Sequence, residues 1–310
     1  MSLTTPVRSR RGAGVAALAM ILLIALAPLG IAHAGNVPFS FNTTLQPGVW
    51  HGFFLGPSSM NRGYVAEITP LDPGVDGETI ERYVVQPEFN GSEWNDVLRV
   101  QLPGGYKALN VNIRVYDTTG LPIRADFMTT LDPGVWHGFI VGPSTETNGY
   151  VTEISPIGSG TDGETIERSV VQPEFNGSLW NDVLRAQISA SYAPLAVGLR
   201  VYETGALQPA ASFDATLQPG IWHGFLIGPS NADAGYVAEI TPTAGGVNGQ
   251  TVQRYVIQPE FNGSQWNDVL RVQILPTDSP MAANLRVYRI DPGIVPATKV
   301  TWGTLKTRYR

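Results

Sequence analysis

Short segments in which apolar and polar residues alternate follow one another along the chain from about residue 40. In residues 109–116, leucine, valine and isoleucine alternate with asparagine and arginine, and residues 195–202 and 285–288 keep the same polarity. This period of two residues is typical of a half-buried β-strand. Because no stretch after the N-terminal segment shows a sustained helical period with caps, the pattern predicts an all-β protein.

A β-hairpin is predicted around Asn90-Gly91, which lies between two strand-like segments, Glu81–Phe89 and Glu93–Leu102. Asn-Gly favours the type I′ turn that joins two twisted strands. The same pair recurs at residues 176–177 and 262–263. Pro87 lies just before the turn, and since proline has no N–H to donate, that end of the strand is predicted to lie at a sheet edge or a bulge.

One six-residue motif, Gly48-Val49-Trp50-His51-Gly52-Phe53, returns at residues 134–139 and 220–225, with a spacing of 86 residues both times. A fixed period indicates repeated structural units, and each unit contains enough strand-like segments for a β-sandwich. We therefore predict an all-β fold of three tandem β-sandwich-like repeats of 86 residues. The alternative is a single β body with pseudo-threefold symmetry, although trefoil-like and prism-like repeats are usually about half as long.

The chain is accordingly divided into six parts. They are a signal peptide (1–34), a lead-in (35–40), repeat 1 (41–124), repeat 2 (127–210), repeat 3 (213–290) and a basic C-terminal tail (291–310). A sandwich of this length buries roughly 60% of its unfolded surface, so we expect a fragment of residues 126–210 to fold alone.

The first 34 residues have the three regions of a secretory signal peptide. A basic run at residues 8–11 precedes an apolar stretch at residues 15–29, and Ala32-His33-Ala34 supplies the small-x-small cleavage pattern. An uncleaved membrane anchor is the alternative, which Pro28 and the cleavage pattern disfavour. The protein is predicted to be secreted or held at the cell surface, with contact to the membrane only if the segment stays uncleaved.

Composition and charge exclude several classes of function. The absence of cysteine excludes disulfides, thiolate metal sites and a cysteine nucleophile. Of the 20 Lys and Arg, three lie in residues 1–34 and four in residues 299–310. The remaining 13, against 26 Asp and Glu, give the rest of the chain a net charge of −13. So acidic a body argues against a nucleic-acid partner, since phosphates would be repelled.

The repeated motif supplies one histidine and one tryptophan per copy: His51, His137 and His223, and Trp50, Trp136 and Trp222. A zinc site would need a threefold axis to bring the histidines together, and tandem domains keep them apart, so no metal is predicted. Each histidine is interpreted as a core residue with one backbone hydrogen bond. Each tryptophan shares its strand face with two glycines, and is interpreted as a packing anchor in a central strand covered on both faces.

A second set of candidate residues follows each Asn-Gly pair. It consists of Trp94, Asn95 and Asp96, then Trp180, Asn181 and Asp182, then Trp266, Asn267 and Asp268. A tryptophan beside amides and carboxylates suits sugar binding. However, Trp94 is an even number of residues from Leu98 and Val100 and so lies on the same face of the predicted strand, which favours a place in the core. A buried Asp96 would need partners, expected to be backbone amides or an arginine.

Two acidic loops, residues 76–78 and 162–164, resemble calcium ligands in composition. The third copy replaces both acids with Asn248 and Gln250, so a shared calcium site is not predicted. There is also no Gly-x-Ser-x-Gly elbow, no His-Glu-x-x-His and no phosphate loop. Neither catalytic residues nor a cofactor are therefore predicted.

The sequence predicts an exported, non-enzymatic triple-repeat protein with a surface, adhesive or structural role. The alternative is a multivalent carbohydrate-binding protein that uses the tryptophan, histidine, asparagine and aspartate residues above. The partners expected are polysaccharide or other cell-surface components, and the sequence does not define an oligomeric state.

The export segment yields a first prediction. We expect the mature protein to begin at Gly35, because Ala32 and Ala34 fit the small pockets that read the cleavage site. Intact-mass measurement of the exported protein checks this, and a mass that retains residues 1–34 would instead indicate a membrane-anchored protein.

Overall fold

A computed structural model describes residues 39–58, 63–80, 82–118, 121–144, 149–205, 207–230, 235–252 and 254–290. Within these ranges the chain forms 18 β-strands and no helix, so the all-β prediction is confirmed. No helix that could cross a bilayer occurs among these residues. The signal segment and the basic tail lie outside the described residues.

Each repeat contributes six strands. The first has β1 (Phe39–Leu45), β2 (Trp50–Pro57), β3 (Tyr64–Pro70), β4 (Arg82–Phe89), β5 (Trp94–Gln101) and β6 (Leu109–Asp117). The second has β7 (Ile123–Leu131), β8 (His137–Pro143), β9 (Tyr150–Ile157), β10 (Ile166–Phe175), β11 (Trp180–Ile188) and β12 (Leu195–Glu203). The third has β13 (Pro209–Leu217), β14 (His223–Pro229), β15 (Gly235–Pro242), β16 (Arg254–Phe261), β17 (Trp266–Gln273) and β18 (Met281–Ile290).

The six strands of a repeat form two three-stranded antiparallel sheets, in the orders β1-β6-β3 and β2-β5-β4 in the first copy. The central strand β6 has the predicted alternation, with its apolar residues Leu109, Val111, Ile113 and Val115 buried. These side chains meet those of the second sheet in one core, as in a sandwich. The predicted sandwich-like repeats are therefore confirmed.

The predicted hairpin is present, but its turn differs from the predicted type I′. A type I′ turn needs positive φ at both central residues, whereas Gly91 (φ 88°) has positive φ and Asn90 does not. The Asn90 side chain instead accepts hydrogen bonds from the backbone N–H of Ser92 (3.0 Å) and Glu93 (2.9 Å). This capping supports a four-residue loop between β4 and β5.

The three repeats close into a ring through backbone contacts. Isolated antiparallel bridges join Glu88 to Thr165, Glu174 to Thr251, and Thr79 to Glu260, so that each repeat is paired with both others. The N–H of Phe89 also donates to the carbonyl of Glu164 at 2.9 Å. The edge strand that contains Pro87, β4, pairs only with β5 inside its own sheet, as predicted, and its free edge meets the next repeat.

Each interface is filled by a tryptophan from the preceding repeat. Trp94 and Phe89 lie in the core of repeat 2, and the Trp94 indole N–H donates to the carbonyl of Gly158 at 3.1 Å. A Cβ at Gly160 would lie 2.5 Å from this indole ring, so only glycine leaves room for it. The Trp180 indole N–H likewise donates to the carbonyl of Ala244 at 2.8 Å. The Trp266 indole N–H donates to the carbonyl of Asp72, in repeat 1, at 2.8 Å.

The closed ring corrects one expectation. The sandwich-like repeats are not tandem domains with self-contained cores, because each core is completed by two aromatic residues of its neighbour. Val65, Val151 and Val237 also meet in one cluster with Tyr116, Tyr202 and Tyr288, which joins all three repeats. The repeats thus form the single pseudo-threefold body that the sequence offered only as the alternative.

The closed ring changes what is expected of an isolated repeat. A fragment of residues 126–210 loses Phe89 and Trp94 from its core and exposes its own Trp180. Burial of a tryptophan stabilises a protein by about 3–5 kcal/mol, while a domain has only about 5–15 kcal/mol in total. We expect this fragment to show no cooperative thermal transition by circular dichroism, whereas the whole chain does. A fragment that melts cooperatively near the temperature of the whole chain would contradict this.

Candidate functional site

The tryptophans of the repeated motif are exposed, not buried as the sequence analysis predicted. The exposed fractions of Trp50, Trp136 and Trp222 are 45%, 42% and 43%. The face of β2 that carries Trp50, Gly52 and Phe54 is exposed, while the opposite face, with His51 and Phe53, is partly buried. The interpretation of this strand as central and covered was therefore wrong: one of its faces is open to solvent although both faces carry apolar residues.

We call the solvent-exposed side of the β2-β5-β4 sheet and its counterparts the outer face. In repeat 1 it is defined by Trp50, Gly52, Phe54, Glu88 and Arg99. The equivalent residues are Trp136, Gly138, Ile140, Glu174 and Arg185 in repeat 2, and Trp222, Gly224, Leu226, Glu260 and Arg271 in repeat 3.

The arginine of each outer face lies across the glycine between the two exposed apolar residues. Gly52 pairs with Arg99 in the β2–β5 ladder, and a Cβ at Gly52 would lie 2.9 Å from a guanidinium nitrogen of Arg99. The guanidinium also forms an ion pair with Glu88. Each outer face therefore presents a tryptophan, a second large apolar residue and an ion pair on the same side of the sheet.

The ion pair is formed in all three copies. The Nε atom of Arg185 lies 3.1 Å from Glu174 Oε2, and that of Arg271 lies 3.1 Å from Glu260 Oε2. Both partners are about one-quarter exposed in every copy. Because the opposite charges neutralise each other, the outer face has polar groups at its surface without a net charge from this pair.

The sequence analysis missed the glutamate and the arginine of the outer face, although the sequence contains a signal for them. The residue types that define the outer face are identical in all three copies, except for the second apolar residue. Exposed positions on the other sheet have diverged: Asn42 corresponds to Met128 and Asp214. Comparison of the copies, position by position, separates the two surfaces.

The three histidines each hold a loop of their own repeat. His51 Nε2 accepts a hydrogen bond from the backbone N–H of Gln46 at 2.8 Å, and His137 and His223 accept equivalent bonds from Asp132 and Gln218. The predicted backbone bond is present. The rings, however, are half-buried and not fully in the core: His51 stacks on Phe53 with ring centroids 6.3 Å apart.

The second set of candidates is buried, so it cannot form a binding surface. Trp94, Asn95 and Asp96 are 7%, 2% and 6% exposed, and the equivalent residues Trp180, Asn181, Asp182, Trp266, Asn267 and Asp268 are at most 8% exposed. The tryptophans lie in the core as predicted, but mainly in the core of the next repeat. The interpretation of these residues as sugar-binding clusters is therefore dropped.

The buried aspartates have a partner that the sequence analysis did not expect. The Ser58 hydroxyl donates to Asp96 at 2.7 Å and the Ser230 hydroxyl donates to Asp268 at 2.7 Å. Burial raises the pKa of Asp96 to about 7 and that of Asp268 to about 6, while these serine hydrogen bonds act in the opposite direction. Asp96 also lines a cavity of about 230 Å³ to which all three repeats contribute residues.

The acidic loops serve the fold. The Glu78 carboxylate accepts a hydrogen bond from the backbone N–H of Val75 at 2.8 Å, and Gln250 accepts the same bond from Val247 at 3.1 Å. An amide thus replaces the carboxylate in copy three without loss of the bond. Among the described residues, no group of three or more histidine and acidic side chains has the geometry of a metal site.

Comparison with family models, with curated proteins and with solved structures finds no match for this chain.

The two tryptophans of a repeat are expected to respond differently to truncation. Trp180→Ala removes a buried ring and its hydrogen bond, and should cost about 3–5 kcal/mol of unfolding free energy. Trp136→Ala removes a half-exposed ring and should cost less than about 1 kcal/mol. Urea unfolding of the two variants of the whole chain measures this difference. Equal destabilisation would show that Trp136 also contributes to the core.

Proposed function

We propose that this is an exported, non-enzymatic protein that binds carbohydrate polymers through its three outer faces. The observation that carries this proposal is the exposure of Trp50, Trp136 and Trp222 at equivalent positions of a rigid ring. Exposed apolar patches mark interaction sites, and here an exposed tryptophan with a second large exposed apolar residue occurs in all three copies.

The chemistry of the outer face suits a sugar ring. One side of a pyranose is a flat array of C–H groups, which packs well on an indole because the aromatic face is apolar and electron-rich. Arg99 and Glu88 lie on the same face and are each about one-quarter exposed, so they can exchange hydrogen bonds with hydroxyl groups. The neutral ion pair favours an uncharged saccharide, since a charged ligand would meet no unpaired opposite charge within this pair.

Three copies favour a ligand that itself repeats. Each face is small and flat, and a single sugar would bind it only weakly. A polymer that engages a second face gains effective concentration, so that the overall affinity can exceed that of one face by about 10²–10⁴. An adhesive role follows directly, because a trivalent protein can link neighbouring polymer chains or attach a cell to them.

The test uses a glycan array and pull-down on insoluble cellulose, chitin and β-glucan. We expect the mature chain to bind at least one neutral polymer. In the variant W50A/W136A/W222A, binding should be lost, because each truncation removes an anchor worth at least about 2 kcal/mol, roughly 30-fold at its own face. Single variants should weaken binding stepwise.

Met128→Ala is the matched control. Met128 is 64% exposed and lies on β7, away from the outer face, so its removal should leave binding unchanged. Undiminished binding by the folded triple tryptophan variant would refute the outer face as the site. A chain that binds no glycan but binds a cell-surface protein would instead support the surface or structural role.

A further inference from the structure

Each of the three repeat interfaces contains a buried glutamate and, from the preceding repeat, a buried aspartate. Glu153 of β9 and Asp96 of β5 line the same cavity. The equivalent pairs are Glu239 with Asp182 and Glu67 with Asp268. All six side chains are between 4% and 6% exposed. Like charges in such a place are costly, because little water is present to screen them.

Hydroxyl groups are prominent among the neighbours of these carboxylates. Glu153 accepts hydrogen bonds from Tyr202 at 2.6 Å and from Ser155 at 2.9 Å. Arg200 lies opposite Glu153 in the ladder and forms an ion pair with Asp126 at 2.7 Å. The other groups that face the glutamates are Thr69, Tyr116 and Arg114 around Glu67, and Thr241, Tyr288 and Arg286 around Glu239. Arg286 approaches Glu239 no closer than 3.5 Å.

A serine hydroxyl donates to the aspartate of each pair, and these serines are Ser58, Ser144 and Ser230. The Oδ2 atom of Asp268 is buried and accepts no hydrogen bond from the described residues. A buried carboxyl oxygen with no donor is more stable when its group is protonated. The burial of these carboxyl groups, and the Oδ2 atom of Asp268 without a donor in the described part of the chain, therefore favour the neutral acid over the charged carboxylate.

We propose that these carboxyl pairs make closure of the ring depend on pH. When these carboxyl groups are protonated, the three interfaces are held together. When both members ionise, they repel each other across every interface at once, beside the inserted tryptophans. The ring is then held most tightly in acidic solution and loosens as the pH rises towards neutrality.

The direction of the effect follows from proton linkage. Burial raises the pKa of Glu67 and Asp96 to about 7 and that of Asp268 to about 6, above the usual values for these side chains. The folded ring therefore binds protons that the unfolded chain releases. The associated stability is complete below about pH 4 and is lost as the pH rises through about 6–7.

The test is the thermal stability of the whole mature chain between pH 5 and pH 8.5. We expect the Tm to fall by at least about 5 °C over this range, and the decrease to be less than half as large in D96N/D182N/D268N, since asparagine resembles the protonated acid. Glu93→Gln is the control: it removes an exposed carboxylate from the same hairpin and should leave the decrease unchanged.

A Tm that is constant or rises over this range in the native chain would overturn the proposal, as would a full decrease in the asparagine variant. If that variant does not fold, E67Q/E153Q/E239Q replaces it, because glutamine keeps the acceptor for the hydroxyl groups. Infrared spectra of the native chain give an independent readout. The band of protonated carboxyl groups should persist at pH 6 and disappear by pH 8.5, and its absence at pH 6 would equally overturn the proposal.

Discussion

The structure depends on the insertion of one indole ring from each repeat into the core of the next. Trp94, Trp180 and Trp266 each fill a space above a glycine and donate one hydrogen bond to a carbonyl of the neighbouring repeat. Because the third insertion returns to the first repeat, all three cores are completed only when the ring closes. Stability is therefore shared, because loss of one interface removes two aromatic residues from the core of the following repeat and opens the ring.

Closure of the ring also explains why the two surfaces of a repeat differ so much. The edges formed by β4, β10 and β16 are covered by the next repeat, which satisfies a sheet edge that would otherwise invite association with another chain. The strands at the opposite edge, with Trp50 and its equivalents, stay open to solvent. The ring thus presents three equivalent outer faces whose relative positions are set by the interfaces between repeats.

The candidate site could be found only in part from the sequence. The repeated motif identifies Trp50, but the sequence pattern does not distinguish this exposed tryptophan from the buried Trp94. The alternation along β5 predicts that Trp94 is buried. It does not predict that Trp94 lies in the core of repeat 2, because that depends on strands of another repeat. Arg99 and Glu88 were missed because their ion pair joins residues on two strands over Gly52, a contact that depends on sheet register.

The sequence by itself determined the strand pattern, the 86-residue period and the position of the hairpin loops, since these follow from local alternation and from turn residues. Only the tertiary structure decided which tryptophan of each repeat is buried, and that the repeats form a ring. The reason is physical: burial depends on what packs against a strand from elsewhere in the chain. The apolar pattern of β2 is compatible with a covered strand, yet its outer face has no covering layer, whereas Trp94 is buried by a repeat that follows it in the sequence.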